Sequence, residues 1–221
     1  FWKEACKDKL NNKIACLFST GAGAAVYLTE GHKVLTHSAN PSQRNWIKGL
    51  ATLIGQEIKP LDPKGGWSVS IACPPFGVKT KEQVTNDPEL AGIELQCPKA
   101  LRDLEARRIL TAHQLCTEKT YAVASPAIGF SGSKDLDLFR QELIKKNWLD
   151  AIIELPAGVY LGTNIGGLLL VLDHNRKANE KVAIISGERL LPKGKSNGAI
   201  EWDPKAIKEL TSLLKERKES E

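Results

Sequence analysis

The stretch Trp67-Ser68-Val69-Ser70-Ile71-Ala72-Cys73-Pro74-Pro75-Phe76-Gly77 decides the fold of this chain. Its first six residues read as a strand. Two prolines and an aromatic then stop it. Each proline fixes φ and removes a donor, and the residue before each is pushed towards extended backbone. The product is a stiff, exposed loop at the carboxyl end of a strand, with carbonyls free and a ring presented. In an open α/β sheet that is where ligands sit.

Strands and helices alternate on both sides of this loop, which argues for parallel βαβ units. Upstream, Lys13 to Ser19 reads as a buried strand. Thr20-Gly21-Ala22-Gly23-Ala24 follows as a small-residue turn into a short helix near Ala24 to Leu28. Lys33 to Ser38 is a second strand. Asn40 and Pro41 make an N-cap and first helical position, and Ile47, Leu50, Ala51 and Ile54 then share one helical face. Glu57 to Leu61 reads as a short strand and Asp62 to Gly66 as a turn. Downstream, residues 78–99 read as a long loop, a length that is often functional. A helix is expected over Ala100 to Cys116 and a strand over Tyr121 to Ala124. An amphipathic helix is expected over Asp135 to Asn147, with Leu136, Phe139, Leu143 and Ile144 inward. Strands follow at Leu149 to Leu155, Gly166 to Leu172 and Val182 to Ile185. Asp203 and Pro204 open a last helix with Ile207, Leu210 and Leu214 inward.

The bulk numbers bound the class. At 221 residues the chain can bury one sizeable α/β core. No stretch approaches the roughly 20 apolar residues of a membrane span, and no secretory leader is visible. The five cysteines are odd in number and form no C-x-x-C pair. That pattern fits reduced, cytoplasmic thiols rather than a disulfide framework or a zinc site. A net charge of +5 permits a polyanion partner without requiring one. Methionine is absent, even at position 1. This fits either an excised segment of unusual composition or a sequence from which modified methionines were dropped, which would shorten some spacings.

The Cys-Pro-Pro-Phe loop resembles the Asn-Pro-Pro-Phe or Asn-Pro-Pro-Tyr signature of amino-group methyltransferases. The segment from Phe139 to Leu143 and on through Trp148 to Tyr160 is similar to the adenine-N6 DNA methyltransferase family. More narrowly, it resembles the methylation subunits of type I restriction-modification systems. That family carries an Arg-Lys-x-Leu helix and a strand ending Leu-Pro, here Leu155-Pro156. It then continues through an aromatic and a Thr-x-Ile, here Thr163-Asn164-Ile165, to a strand like Leu170-Val171-Leu172. The likeness covers most of residues 67 to 190.

The resemblance implies a doubly wound, Rossmann-like α/β sheet, mostly parallel with an antiparallel last strand. It implies S-adenosylmethionine over the first two strands and a flipped target base at the Pro-Pro loop. It divides the chain into a methyltransferase-like domain, residues 1–190, with a short or missing upstream cofactor segment, and a C-terminal helical extension, 191–221. DNA, a separate specificity subunit and a restriction subunit are the implied partners, and a membrane is not.

The resemblance also places site residues. Adenine N6 becomes nucleophilic when both its N–H groups are accepted and it is held in line with the sulfonium methyl. In the family one acceptor is the first motif side chain, here Cys73, and the other is the carbonyl of the first proline, Pro74. Pro75 stiffens the loop and Phe76 stacks on the base. Thr20, Gly21 and Gly23 fall on the glycine-rich cofactor motif, where backbone approaches closely. Ser38 falls on the ribose-binding position if Asn40-Pro41 matches the family's Asn-Pro. Asp62 falls on the adenine-side acidic position, though a plain turn before Pro63 explains it equally well.

Three departures stand out. The family's acidic residue before the glycines is Leu17 here, its ribose-binding acid is Ser38, and its asparagine is Cys73. They predict a weakened or degenerate adenine-N6 methyltransferase subunit. The alternative is a non-catalytic structural or DNA-associating subunit with the same fold. A nucleotide-dependent oxidoreductase is a distant third, because Gly21, Gly23 and Ser38 do not meet its three-glycine fingerprint. His32, His37, His113 and His174 lack metal-ligand spacing, so no metal site is expected. Arg107-Arg108, Lys145-Lys146 and Lys193 to Lys195 read as solvated faces before phosphate contacts.

Overall fold

The computed structural model describes residues 67–74, 76, 97–157, 165–187, 190 and 203–217, with the strands at 13–17 and 33–37 as backbone. In chain order the elements are β1 (Lys13–Leu17), β2 (Lys33–His37), β3 (Trp67–Ala72), α1 (Leu104–Leu115) and β4 (Cys116–Ala124). They continue as α2 (Pro126–Phe130), α3 (Lys134–Lys145), β5 (Leu149–Leu155), β6 (Gly167–Asp173), β7 (Ala183–Ser186) and α4 (Pro204–Glu216). The expected helices near Ala24 and after Asn40, the strand at Glu57 to Leu61 and most of the 78–99 loop lie outside the described residues.

Among the described residues the strands form one sheet in the order β2-β1-β3-β4-β6-β5-β7. β1 pairs in parallel with β2 and β3, β3 with β4, and β5 with β7. β6 runs antiparallel between β4 and β5. The expected antiparallel strand is therefore β6, and the short β7 follows it in the chain.

β6 shows why the sheet is covered on both faces. Leu168, Leu170 and Leu172 enter one buried cluster with Ile109, Leu110, Leu136, Phe139 and Leu143 of α1 and α3. Leu169 and Val171 enter the other, with Leu210 and Leu214 of α4. Side chains alternate along a strand, so a strand buried on both sides reads as one uninterrupted apolar run.

Several boundaries differ from the sequence reading, each for a local reason. α1 starts at Leu104 instead of Ala100 because Asp103 caps it, its carboxylate accepting the Ala106 N–H at 2.9 Å. β4 starts at Cys116, not Tyr121, because Trp67 and Val69 of β3 pair with Cys116 and Lys119. A polar half-strand carries no apolar signal. α3 ends at Lys145, not Asn147. Asn147 adopts φ 53°, while Trp148 N–H reaches back to the Leu143 carbonyl at 2.9 Å. That is a left-handed cap, which asparagine tolerates without glycine. Ile144 is 60% exposed rather than inward. It lies about 100° past Leu143 around the helix and leaves the stripe. α4 begins as expected, with the Asp203 carboxylate accepting the Lys205 N–H at 2.8 Å.

At the foot of the sheet, where β4 begins and β6 ends, Asp150 is buried among cations. Lys119 lies 3.4 Å away, the Arg176 Nε 3.8 Å away, and Arg217 pairs with it directly. Burial pushes the Lys119 ammonium down, but Asp173 and Asp150 more than offset it, and the net shift is upward. Arg217 also donates to the Lys181 carbonyl at 2.7 Å. The network ties the end of α4 to the sheet.

Candidate functional site

Among the described strands, the connectivity creates a crevice. From β1 the chain moves outward to β2, then crosses back to β3 on the other side of β1. The connections leaving β1 and β3 therefore diverge, and the space between their carboxyl ends is a topological switch point. Register fixes how close those ends are. Leu17 at the end of β1 pairs with His37 of β2 on one side and with Ala72 of β3 on the other. Cys73 follows Ala72 directly.

Cys73, Pro74 and Phe76 therefore leave the sheet at the crevice. Pro74 is buried, Cys73 is half-buried, and Phe76 is 36% exposed. Cys73 carries a free thiol. Desolvation by burial pushes that thiol up to about 11. At neutral pH it is an uncharged S–H, a weak donor and weak acceptor. The sign of the linkage follows. Its stability contribution is fully present below the unfolded value near 9 and is lost as pH rises through about 11. The same shift leaves about 100-fold less thiolate than an unperturbed cysteine near pH 8. Alkylation of Cys73 in the folded chain, followed by peptide mass spectrometry, is expected to run slower by about that factor than in the unfolded chain. Equal rates would contradict the buried thiol.

Next along the carboxyl rim of the sheet is the corner between β4 and α2. Ser125 caps α2, and Pro126 holds its first position. The buried Glu105 carboxylate of α1 accepts both the Ser125 N–H and, at 2.8 Å, its hydroxyl. Arg140 of α3 donates to the carbonyls of Ile128 at 3.1 Å and Ser131 at 2.8 Å. α2 is thus fixed from both ends. The sequence reading missed this corner. Its signal was the Ser-Pro pair directly after a strand, a cap followed by proline at the first helical position. Nothing local identifies Glu105 as the residue that grips it.

Further along the same rim of the sheet is the entry to β6. A Cβ on Gly166 would lie 2.7 Å from the Leu155 carbonyl oxygen, a backbone atom that cannot yield. Glycine lets the Ile165-Gly166 segment cross the end of β5 at this distance. Gly166→Ala is expected to destabilise the chain by about 1–3 kcal/mol through overpacking, read by urea denaturation. An unchanged midpoint would show that the crossing has slack.

Of the residues assigned by resemblance, Cys73, Pro74 and Phe76 come together on one loop at the switch point. Pro75 lies outside the described residues, as do Thr20, Gly21, Gly23, Ser38 and Asp62. The strand ends leading to Thr20 and Ser38 are placed, side by side, at Leu17 and His37.

A doubly wound sheet with its crevice between β1 and β3 and an antiparallel strand beyond β4 defines the class. It is the fold of S-adenosylmethionine-dependent methyltransferases. The chain belongs to the N-6 DNA methylase family, whose pattern matches residues 42–221. It is 26% identical, over 161 residues, to the methylase subunit of the type I restriction enzyme MpnII from Mycoplasma pneumoniae, covering 71% of this chain and 29% of that protein. Its fold is similar to that of a type I restriction-modification methyltransferase subunit from Streptococcus thermophilus. The TM-score is 0.75 at 17% identity, covering 99% of this chain and 51% of that one. The EcoKI M protein gives a TM-score of 0.65 at 12% identity, covering 95% of this chain and 50% of that one. The chain therefore spans about half the length of these structural relatives and less of the curated one. Among the described residues, no helix is long and apolar enough to cross a membrane.

Proposed function

We propose that this chain is the methyltransferase domain of a type I modification subunit, acting on adenine N6 in DNA with activity lowered by its own substitutions. The observation that carries the reading is the Leu17–Ala72 register, which sets the Cys73-Pro74-Phe76 loop beside the end of β1. A cofactor held over β1 and β2 and a base held at the loop then face one another.

Bound S-adenosylmethionine would supply an electrophilic methyl group. Thr20, Gly21 and Gly23 would let backbone approach it, and Ser38 and Asp62 would meet its ribose and adenine. The Pro74 carbonyl would accept one N–H of the target amine. Phe76 would stack on the base, an interaction worth roughly 1–3 kcal/mol. The second N–H would face the neutral Cys73 thiol, which accepts poorly. The chain would read the DNA sequence through a separate specificity subunit and work beside a restriction subunit, in the cytoplasm.

Leu17 and Ser38 remove two acidic anchors, each worth roughly 1.5–3 kcal/mol, so cofactor affinity should fall by about 10²–10⁴-fold relative to a site retaining both. Calorimetry with S-adenosylmethionine tests this directly. The expected result is saturable binding, far weaker than micromolar. Micromolar binding would show that other groups replace the anchors. The absence of saturable binding would favour a structural subunit.

A further inference from the structure

We propose that the foot of the sheet, at the strand ends opposite the candidate site, holds a zinc-class divalent metal on His113, Cys116 and His174. These residues come from the last turn of α1, the first position of β4 and the turn after β6. One ligand atom from each lies within 4.8 Å of the others. Two imidazoles and a thiol form a donor set suited to zinc and its spectroscopic substitute cobalt(II).

One ligand pair is already close to tetrahedral spacing. His113 Nδ1 and Cys116 Sγ are 3.9 Å apart. Bonds of about 2.1 Å to nitrogen and 2.3 Å to sulfur set such a pair about 3.6 Å apart. Thr120 Oγ1 now contacts both, 3.0 Å from His113 Nδ1 and 3.2 Å from Cys116 Sγ. It also has Ser70 Oγ at 2.6 Å, so it keeps a partner when both ligands turn to an ion. His113 is fully buried, and its Nε2 has no hydrogen-bond partner. The two nitrogens of an imidazole aim in different directions, so Nδ1, the atom nearest Cys116 Sγ, is the ligand, and no second bond at Nε2 fixes the tautomer.

One movement is required. The His113 and His174 rings are stacked, 3.8 Å apart and 7° from parallel. Parallel rings cannot both aim in-plane lone pairs at one ion. His174 is the member able to move. Its ring is only partly buried, while its backbone is pinned by an N–H bond to the Glu118 carbonyl at 2.9 Å. Turning it gives up the Nε2–H bond to the His113 carbonyl, at 2.7 Å. The Cys116 thiol passes its proton to solvent as the metal–sulfur bond forms, one proton released per ion. Trp148 stands edge-on to both rings, at 4.8 Å and 5.6 Å, and should sense the change.

The test is a cobalt(II) titration of the reduced, chelator-treated chain, followed by displacement with zinc. The expected result is one ion per chain, a thiolate-to-cobalt charge-transfer band, and a shift in Trp148 emission that Trp148→Phe removes. Cys116→Ser should abolish the band, while Cys73→Ser and Cys97→Ser should keep it. His174→Ala, at the partly exposed position, should weaken binding by about tenfold or more with its circular dichroism unchanged. Should Cys116→Ser not fold, zinc-edge X-ray absorption on the loaded wild type reads one sulfur and two imidazoles with no substitution. A first shell without sulfur overturns the site. So does a band that survives Cys116→Ser, or unchanged affinity in His174→Ala.

Discussion

Replacing Cys73 by asparagine is expected to raise methyl transfer to adenine N6 by on the order of 10²–10³-fold, the usual worth of one well-aimed hydrogen-bonding group at a reacting centre. The reasoning is local. The loop already stands at the switch point, beside the end of β1. In the proposed site the Pro74 carbonyl and the Phe76 ring supply one acceptor and the stacking face. The second acceptor is missing, because burial keeps the Cys73 thiol protonated far above neutral pH. A carboxamide oxygen would accept where S–H does not. The assay compares wild type and mutant with a specificity subunit, DNA and saturating S-adenosylmethionine. Unchanged background in the mutant would sink the repairable site and favour a structural role. Robust wild-type activity would show instead that the Pro74 carbonyl suffices.

Asp150→Ala is expected to cost about 3–5 kcal/mol of folding stability, the loss seen when one partner of a buried ion pair is removed. The carboxylate is 3% exposed and faces Lys119, Arg176 and Arg217. Removing it leaves cations gathered at the foot of the sheet with less negative charge among them. Arg217 would keep Glu180, at 3.5 Å, and Lys119 would keep Asp173, at 2.9 Å. Arg176 is the most enclosed of the three, at 6% side-chain exposure. Urea denaturation with a common slope reads the loss. A change below about 1 kcal/mol, the scale of a surface pair, would mean that the network rearranges around the gap.

The fold was legible where one residue type forces one outcome. Two prolines after Cys73 can only end a strand, and the unbroken apolar run into Leu172 reads as one. Proline after Ser125 carried the same kind of signal and went unread. The sequence reading failed where long-range pairing overrides local character. Cys116 to Thr120 is polar, yet becomes strand because β3 and β6 flank it. Ile144 is apolar, yet exposed, because the helical stripe is narrower than the apolar count suggested. Asn147 ends α3 by adopting a backbone conformation that no period reveals. The Cys73 loop was found because its chemistry is contiguous in sequence. Glu105 against Ser125, and His113 with Cys116 against His174, were not, because only the packed sheet brings them together.

In the proposed enzyme, cofactor and target meet between the ends of β1 and β3. Ultraviolet cross-linking with methyl-labelled S-adenosylmethionine at high concentration, followed by peptide mapping, tests it without requiring turnover. Label is expected in the peptide following β1, through Thr20 to Gly23, and in the Cys73 to Phe76 loop. Label confined to other parts of the sheet, or none above a denatured control, would contradict it.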